Sequence, residues 1–158
     1  MFRQATVALR PETAEDLSFL RELHHSVREA EPGIRDLDPV TRAAILEQQF
    51  EWQHAQYHAV NPHGWFTIVT VDGKPAGRFY LVRRPGSLRV VDISLLPEFR
   101  GHGIGTQLML NVRAESLRTG VPIRLSVVAG DLAGGFYQRL GFRTVACEGI
   151  RLELEWAV

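Results

Sequence analysis

The stretch LRVVDISLLPEFRGHGIGTQL, residues 88–108, limits this chain more than any other. A long β-branched run stops at Pro97, and Gly101, Gly103 and Gly105 follow in quick succession. After them the apolar residues fall at helical spacing, predicting a helix from about Ile104 to Leu117. A strand that enters a helix through a glycine-rich turn belongs to a fold with helices laid on a sheet. The turn also presents unpaired backbone N–H groups at the positive end of the helix dipole, a place suited to phosphate. Glycine lets a ligand approach that backbone closely, and Arg100 adds a positive charge.

Two familiar phosphate loops do not fit. A dinucleotide fingerprint needs glycine at the position held by Thr106, an opening βαβ unit, and an acid closing the next strand, which here reads IRLSVV. A P-loop needs a following Gly-Lys-Ser/Thr, which is missing. What remains is a pyrophosphate site without metal, or a tight turn whose glycines serve packing alone.

The rest of the chain predicts its own elements. Residues 6–10 read as a short strand, and PETAEDLSFLRELHHSV as a helix starting at Thr13 or Pro11 with Leu17, Leu20, Leu23 and Val27 on one face. A break at EPGIRDLDP precedes a second helix from Val40 to about Val60. WFTIVTV and AGRFYLV flank an Asp-Gly turn and form a hairpin. Beyond the glycine loop, Thr119-Gly120 ends its helix, IRLSVVA is a buried strand, DLAGGFYQRL a short helix, and GFRTVAC and IRLELEW two strands. The predicted fold is a mixed α/β domain in the order βααβββαβαββ, one domain over residues 1–158.

Composition narrows the function classes. Lys plus Arg equals Asp plus Glu at 18 each, so no global charge draws the chain to nucleic acid or an anionic membrane. No apolar run reaches the ~18–20 residues of a membrane span. The N-terminus lacks an apolar signal core, and Cys147 is the only cysteine, which excludes an internal disulfide. A cytoplasmic location is expected.

Two motifs together resemble the GNAT superfamily of N-acetyltransferases. Its acetyl-CoA loop reads Gln/Arg-x-x-Gly-x-Gly/Ala, matched by Arg100, Gly103 and Gly105 behind the lead-in LLPEFRG. Its second block reads Asn-x-Ala-x-x-Phe-Tyr-x-x-x-Gly-Phe, matched by Ala133, Phe136, Tyr137, Gly141 and Phe142, with Asp131 in place of Asn. The element order agrees over nearly the whole chain.

The resemblance implies a twisted GNAT sheet and an enzyme moving an acetyl group from acetyl-CoA to an amine. It implies that Arg100, Gly101, His102, Gly103, Ile104, Gly105 and Thr106 hold the pyrophosphate, and that Leu95 meets the pantetheine arm. An N–H near Ile93 to Leu95 would polarise the thioester carbonyl. Asp131 keeps a helix-capping role and stands where relatives contact the cofactor. Tyr137 would give a proton to the departing thiolate, against the alternative that its ring is only core.

An amine must lose a proton to attack, because its ammonium form dominates at neutral pH. Relatives carry a glutamate where this chain has Ser126. Asp92 remains as candidate base, facing either the acceptor or a partner such as Arg78. Alternation places it on one face with Ser94. Gln49, Gln53 and Tyr57 recur at i, i+4, i+8 on the second helix and, with Trp52, are the expected acceptor-binding face. His54 and His58 have ligand spacing, but the sequence offers no third ligand, so a polar helix face and no metal are expected. The acceptor is a small-molecule or peptide amine, and C-terminal strands of the superfamily often pair in homodimers. A non-catalytic acyl-CoA-binding sensor of the same fold is the rival reading.

Overall fold

The computed structural model describes residues 4–158. In chain order the elements are β1 (Val7–Pro11), a 3-10 turn (Ala14–Asp16), α1 (Leu17–Arg28), α2 (Pro39–Val60), β2 (Trp65–Val71), β3 (Lys74–Arg84) and β4 (Ser87–Leu95). A second 3-10 turn (Pro97–Phe99), α3 (Ile104–Thr119), β5 (Ile123–Val128), α4 (Leu132–Arg139), β6 (Arg143–Glu148) and β7 (Arg151–Trp156) follow. The predicted order of strands and helices is the observed one.

Local chemistry sets the boundaries. The helix expected from Thr13 or Pro11 begins instead at Leu17, behind a 3-10 turn. The Asp16 carboxylate explains this. It turns back to accept the Thr13 N–H at 2.8 Å and is gripped by Arg10 at 2.7 and 2.9 Å, which tightens the first turn. Asp38 caps α2 by accepting the Thr41 N–H at 2.9 Å, with Pro39 at the first helical position. Asp72 (φ 50°) and Gly73 (φ 81°) are both left-handed, as the tight β2–β3 connection requires.

Seven strands form a sheet in the order β1-β2-β3-β4-β5-β7-β6. β1 lies antiparallel to β2 with Leu9 opposite Val69. β4 and β5 run parallel, paired at Leu88↔Ile123 and Arg89↔Arg124. β7 is inserted between β5 and β6, antiparallel to both.

The chain divides into two compact units. The first runs through Tyr80 and resumes over Asp92–His102. Its core centres on Leu20, Phe50 and Ile68, with Leu17 and Phe19 against them. The second comprises Leu81–Val91 and Gly103–Val158. In it α3 lies on β5, with Leu108, Met109 and Val112 buried on the helix and Ile123 and Leu125 on the strand. Among the described residues no helix is long and apolar enough to cross a membrane.

Candidate functional site

The glycine loop has the backbone the sequence calls for. Gly101 (φ 77°) and Gly103 (φ 79°) are left-handed and exposed, and a Cβ at either would meet nothing within 4 Å. Gly103 is the N-cap of α3 and has no side chain to cap the first turn. The first helical bond runs from Gln107 N–H to the Gly103 carbonyl at 3.0 Å. Ile104 is buried, while His102 and Thr106 are exposed. Gly105 serves another purpose, since its Cβ would sit 3.4 Å from the Phe136 ring. It lets α3 and α4 approach within the second unit.

Arg100 folds back, its Nε donating to the Leu95 carbonyl at 2.9 Å at the end of β4. Gly77 on β3 also shapes this region, although no local motif marks it in the sequence. A Cβ there would lie 2.1 Å from the Ser94 carbonyl oxygen and 3.1 Å from the Leu95 Cα. Leu96 N–H also bonds the Ala76 carbonyl at 2.8 Å. Glycine at 77 is therefore what lets the end of β4 lie against β3.

In the same unit Asp92 gathers three donors. Its Oδ2 accepts from Arg78 at 2.7 Å and from the Tyr57 hydroxyl at 3.0 Å, and its Oδ1 from the Ser94 hydroxyl at 2.6 Å. Arg78, almost fully buried, also donates to the Gln53 amide oxygen at 3.2 Å. Of the two partners expected for Asp92, the structure supplies Arg78, and it adds Tyr57 from the predicted acceptor face. Burial opposes the Arg78 charge, yet the Asp92 carboxylate outweighs it and raises the guanidinium pKa. Burial and the Asp92 charge push the Tyr57 hydroxyl up. Gln53 and Tyr57 thus join Asp92 in one network, whereas Gln49 and Trp52 are exposed on α2.

The polar helix face expected of His54 and His58 is half-buried, and the expectation that no third ligand accompanies them is corrected. Their rings, with centroids 4.3 Å apart, sit in an aromatic row with Phe50 and Phe66. A third ligand type is also present, because His58 Nε2 lies 2.8 Å from Glu12 Oε2. Glu12 follows β1, forty-odd residues away in sequence, so helical spacing carries no sign of it.

In the second unit Tyr137 is buried in T-shaped contact with Phe136 and Phe142, at centroid distances of 5.0 and 5.5 Å. Asp131 caps α4, accepting the Ala133 N–H at 3.1 Å. Ser126 stands opposite Glu153 and donates to its Oε2 at 2.6 Å. Arg89 donates to both Ser126 and Glu153. Burial pushes the Glu153 carboxyl up, but Arg89 and Ser126 prevail and hold it below the usual range. This carboxylate next to Ser126 could be found only by knowing that β5 pairs with β7.

A family described as "Acetyltransferase (GNAT) domain" matches residues 62–144. Among solved structures, the chain is similar to the PaiA N-acetyltransferase of Thermoplasma acidophilum in complex with coenzyme A. That match has a TM-score of 0.74 and 18% identity over 97% of this chain and 99% of the other. An acetyltransferase from Thermus thermophilus gives 0.70 and 18%, covering 97% of each chain. A GNAT family acetyltransferase from Elizabethkingia anophelis with acetyl-CoA bound gives 0.59 and 15%, covering 96% of this chain and 98% of the other. No curated protein matches the sequence significantly.

Proposed function

Because this chain belongs to the GNAT acetyltransferase family, we propose that it transfers an acetyl group from acetyl-CoA to a primary amine of a small molecule or peptide by direct attack. The observation that carries this reading is the first turn of α3, opened by left-handed Gly103 without a side-chain cap and preceded by Arg100 and left-handed Gly101. Uncapped N–H groups at a helix start bind phosphate without a metal. The similar structures with coenzyme A or acetyl-CoA bound support the same reading.

In this proposal the backbone of Gly101, His102, Gly103, Ile104, Gly105 and Thr106 cradles the pyrophosphate, with Arg100 beside it. Pantetheine runs along the end of β4 at Leu95. Asp131 borders the cofactor from the start of α4. The amine lone pair attacks the thioester carbon, the C–S bond breaks, and the thiolate takes a proton from the Tyr137 hydroxyl, which regains one from water. The nitrogen releases its own proton to water on the acceptor side.

There Asp92 acts with Tyr57. The Tyr57 hydroxyl donates its hydrogen bond to Asp92, which leaves its oxygen lone pairs as the acceptor for an amine N–H. Gln53 and Gln49 extend the same helix face. The domain is proposed to act in the cytoplasm on a discrete acceptor, as a single domain able to pair as a homodimer, without nucleic acid or membrane.

One observation favours the sensor alternative: Asp92 already receives three hydrogen bonds. A panel of amines mixed with acetyl-CoA and the protein separates the two readings. Release of free thiol that depends on one class of amine is expected. Acetyl-CoA binding with no amine-dependent thiol across the panel would assign the domain to sensing.

A further inference from the structure

We propose that Glu12, His54 and His58 form a binding site for a borderline divalent transition metal of the zinc type. The argument is independent of the acetyl-transfer reading. One ligating atom from each residue lies within 4.8 Å of the other two. Two histidines one helical turn apart and a carboxylate form a three-ligand N₂O set that suits zinc and leaves a fourth position for water.

Hydrogen bonding around the three residues fits ligands held ready. His58 Nδ1 faces the His54 backbone carbonyl at 2.7 Å. A carbonyl only accepts, so the proton belongs on Nδ1 and the Nε2 lone pair is directed at Glu12 Oε2, 2.8 Å away. A lone pair and a carboxylate oxygen at that distance repel unless a positive centre lies with them. That centre is either a second ring proton or a metal ion. His54 favours the ion, because its Nδ1 is buried with no hydrogen-bond partner among the described residues. A buried polar atom left unpaired costs free energy that a binding partner recovers.

The surroundings also hold the ligands in place. Tyr80 donates its hydroxyl to Glu12 Oε1, leaving Oε2 for the site. Glu12 is tethered by its N–H to the Phe66 carbonyl at 3.0 Å. The His54 ring stacks on Phe50 and the His58 ring on Phe66, at centroid distances of 5.4 and 4.2 Å. Ligating histidines and carboxylates are commonly oriented by such carbonyl and hydroxyl partners one step out. The ion would fasten the end of β1 to α2, two elements of the first unit.

The test titrates zinc into the full chain, stripped beforehand with a chelator, and follows binding by calorimetry. Cobalt absorption bands report the ligand geometry. One equivalent is expected to bind, with tetrahedral-type cobalt bands and a higher unfolding temperature. His54→Gln and Glu12→Gln should each weaken binding by about 100-fold or more. Tyr80→Phe should weaken it by about tenfold, as for partners one step out. Cys147→Ser should leave it unchanged. Circular dichroism identifies any variant that fails to fold, and His54→Gln, which removes no hydrogen bond of the Glu12 carboxylate, then carries the test. The proposal is overturned if the parent binds zinc no better than folded His54→Gln, or if Cys147→Ser abolishes binding.

Discussion

At Tyr137 two demands fall on one side chain. Its ring is buried against Phe136 and Phe142, and its hydroxyl is proposed to protonate the departing thiolate. Tyr137→Phe separates them, because the ring still packs. Turnover at saturating acetyl-CoA should drop by about 10²-fold, the low end for general acid help, while acetyl-CoA affinity changes little. A rate within about twofold of the parent, with chemistry limiting, would remove Tyr137 from proton transfer and leave packing as its role. Tyr137 and the loop glycines were legible because each belongs to a local motif. Asp92 was only half legible, since alternation gave its face but not whether Arg78 or an acceptor met it. Glu12 was not legible as a neighbour of His58. That contact joins residues 12 and 58, and no local periodicity records such a distance.

Elements were more readable than single contacts. Their order follows from apolar spacing and turn residues, both of which are local. Their starts were less readable where a side chain reshapes the first turn, as Asp16 does. The insertion of β7 between β5 and β6 could not be read at all, because strand order is decided by long-range pairing. Gly77 belongs to this scale. Its Cβ would lie 2.1 Å from the Ser94 carbonyl, so Gly77→Ala must push β3 from the end of β4. Urea unfolding should show a loss of about 1–3 kcal/mol or more, the scale of overpacking. Gly134→Ala, in α4 with open space at its Cβ, is the matched control and should be neutral or stabilising by about 0.5–1 kcal/mol. Equal stabilities for the two variants would mean the β3–β4 approach is not tight.

For the molecule as a whole, the family rests on two motifs set in the right element order, and the sequence carried both. The acceptor was beyond it. The residues proposed to meet an amine come from α2 and β4, and only the fold joins Tyr57 and Asp92, with Arg78 of β3, into one network. Balanced charge gives no further sign of the substrate. Acetyl-CoA binding is proposed to rest on the backbone of the glycine loop by itself. The decisive measurement is calorimetric titration of acetyl-CoA into the parent and into Gly103→Val, with a chelator present. The parent is expected to bind one equivalent without added metal. Gly103→Val, with its fold verified by circular dichroism, should lose at least about tenfold in affinity, because valine is strained at a φ of 79° and fills the space the phosphates need. Unchanged affinity in a folded Gly103→Val variant would contradict it.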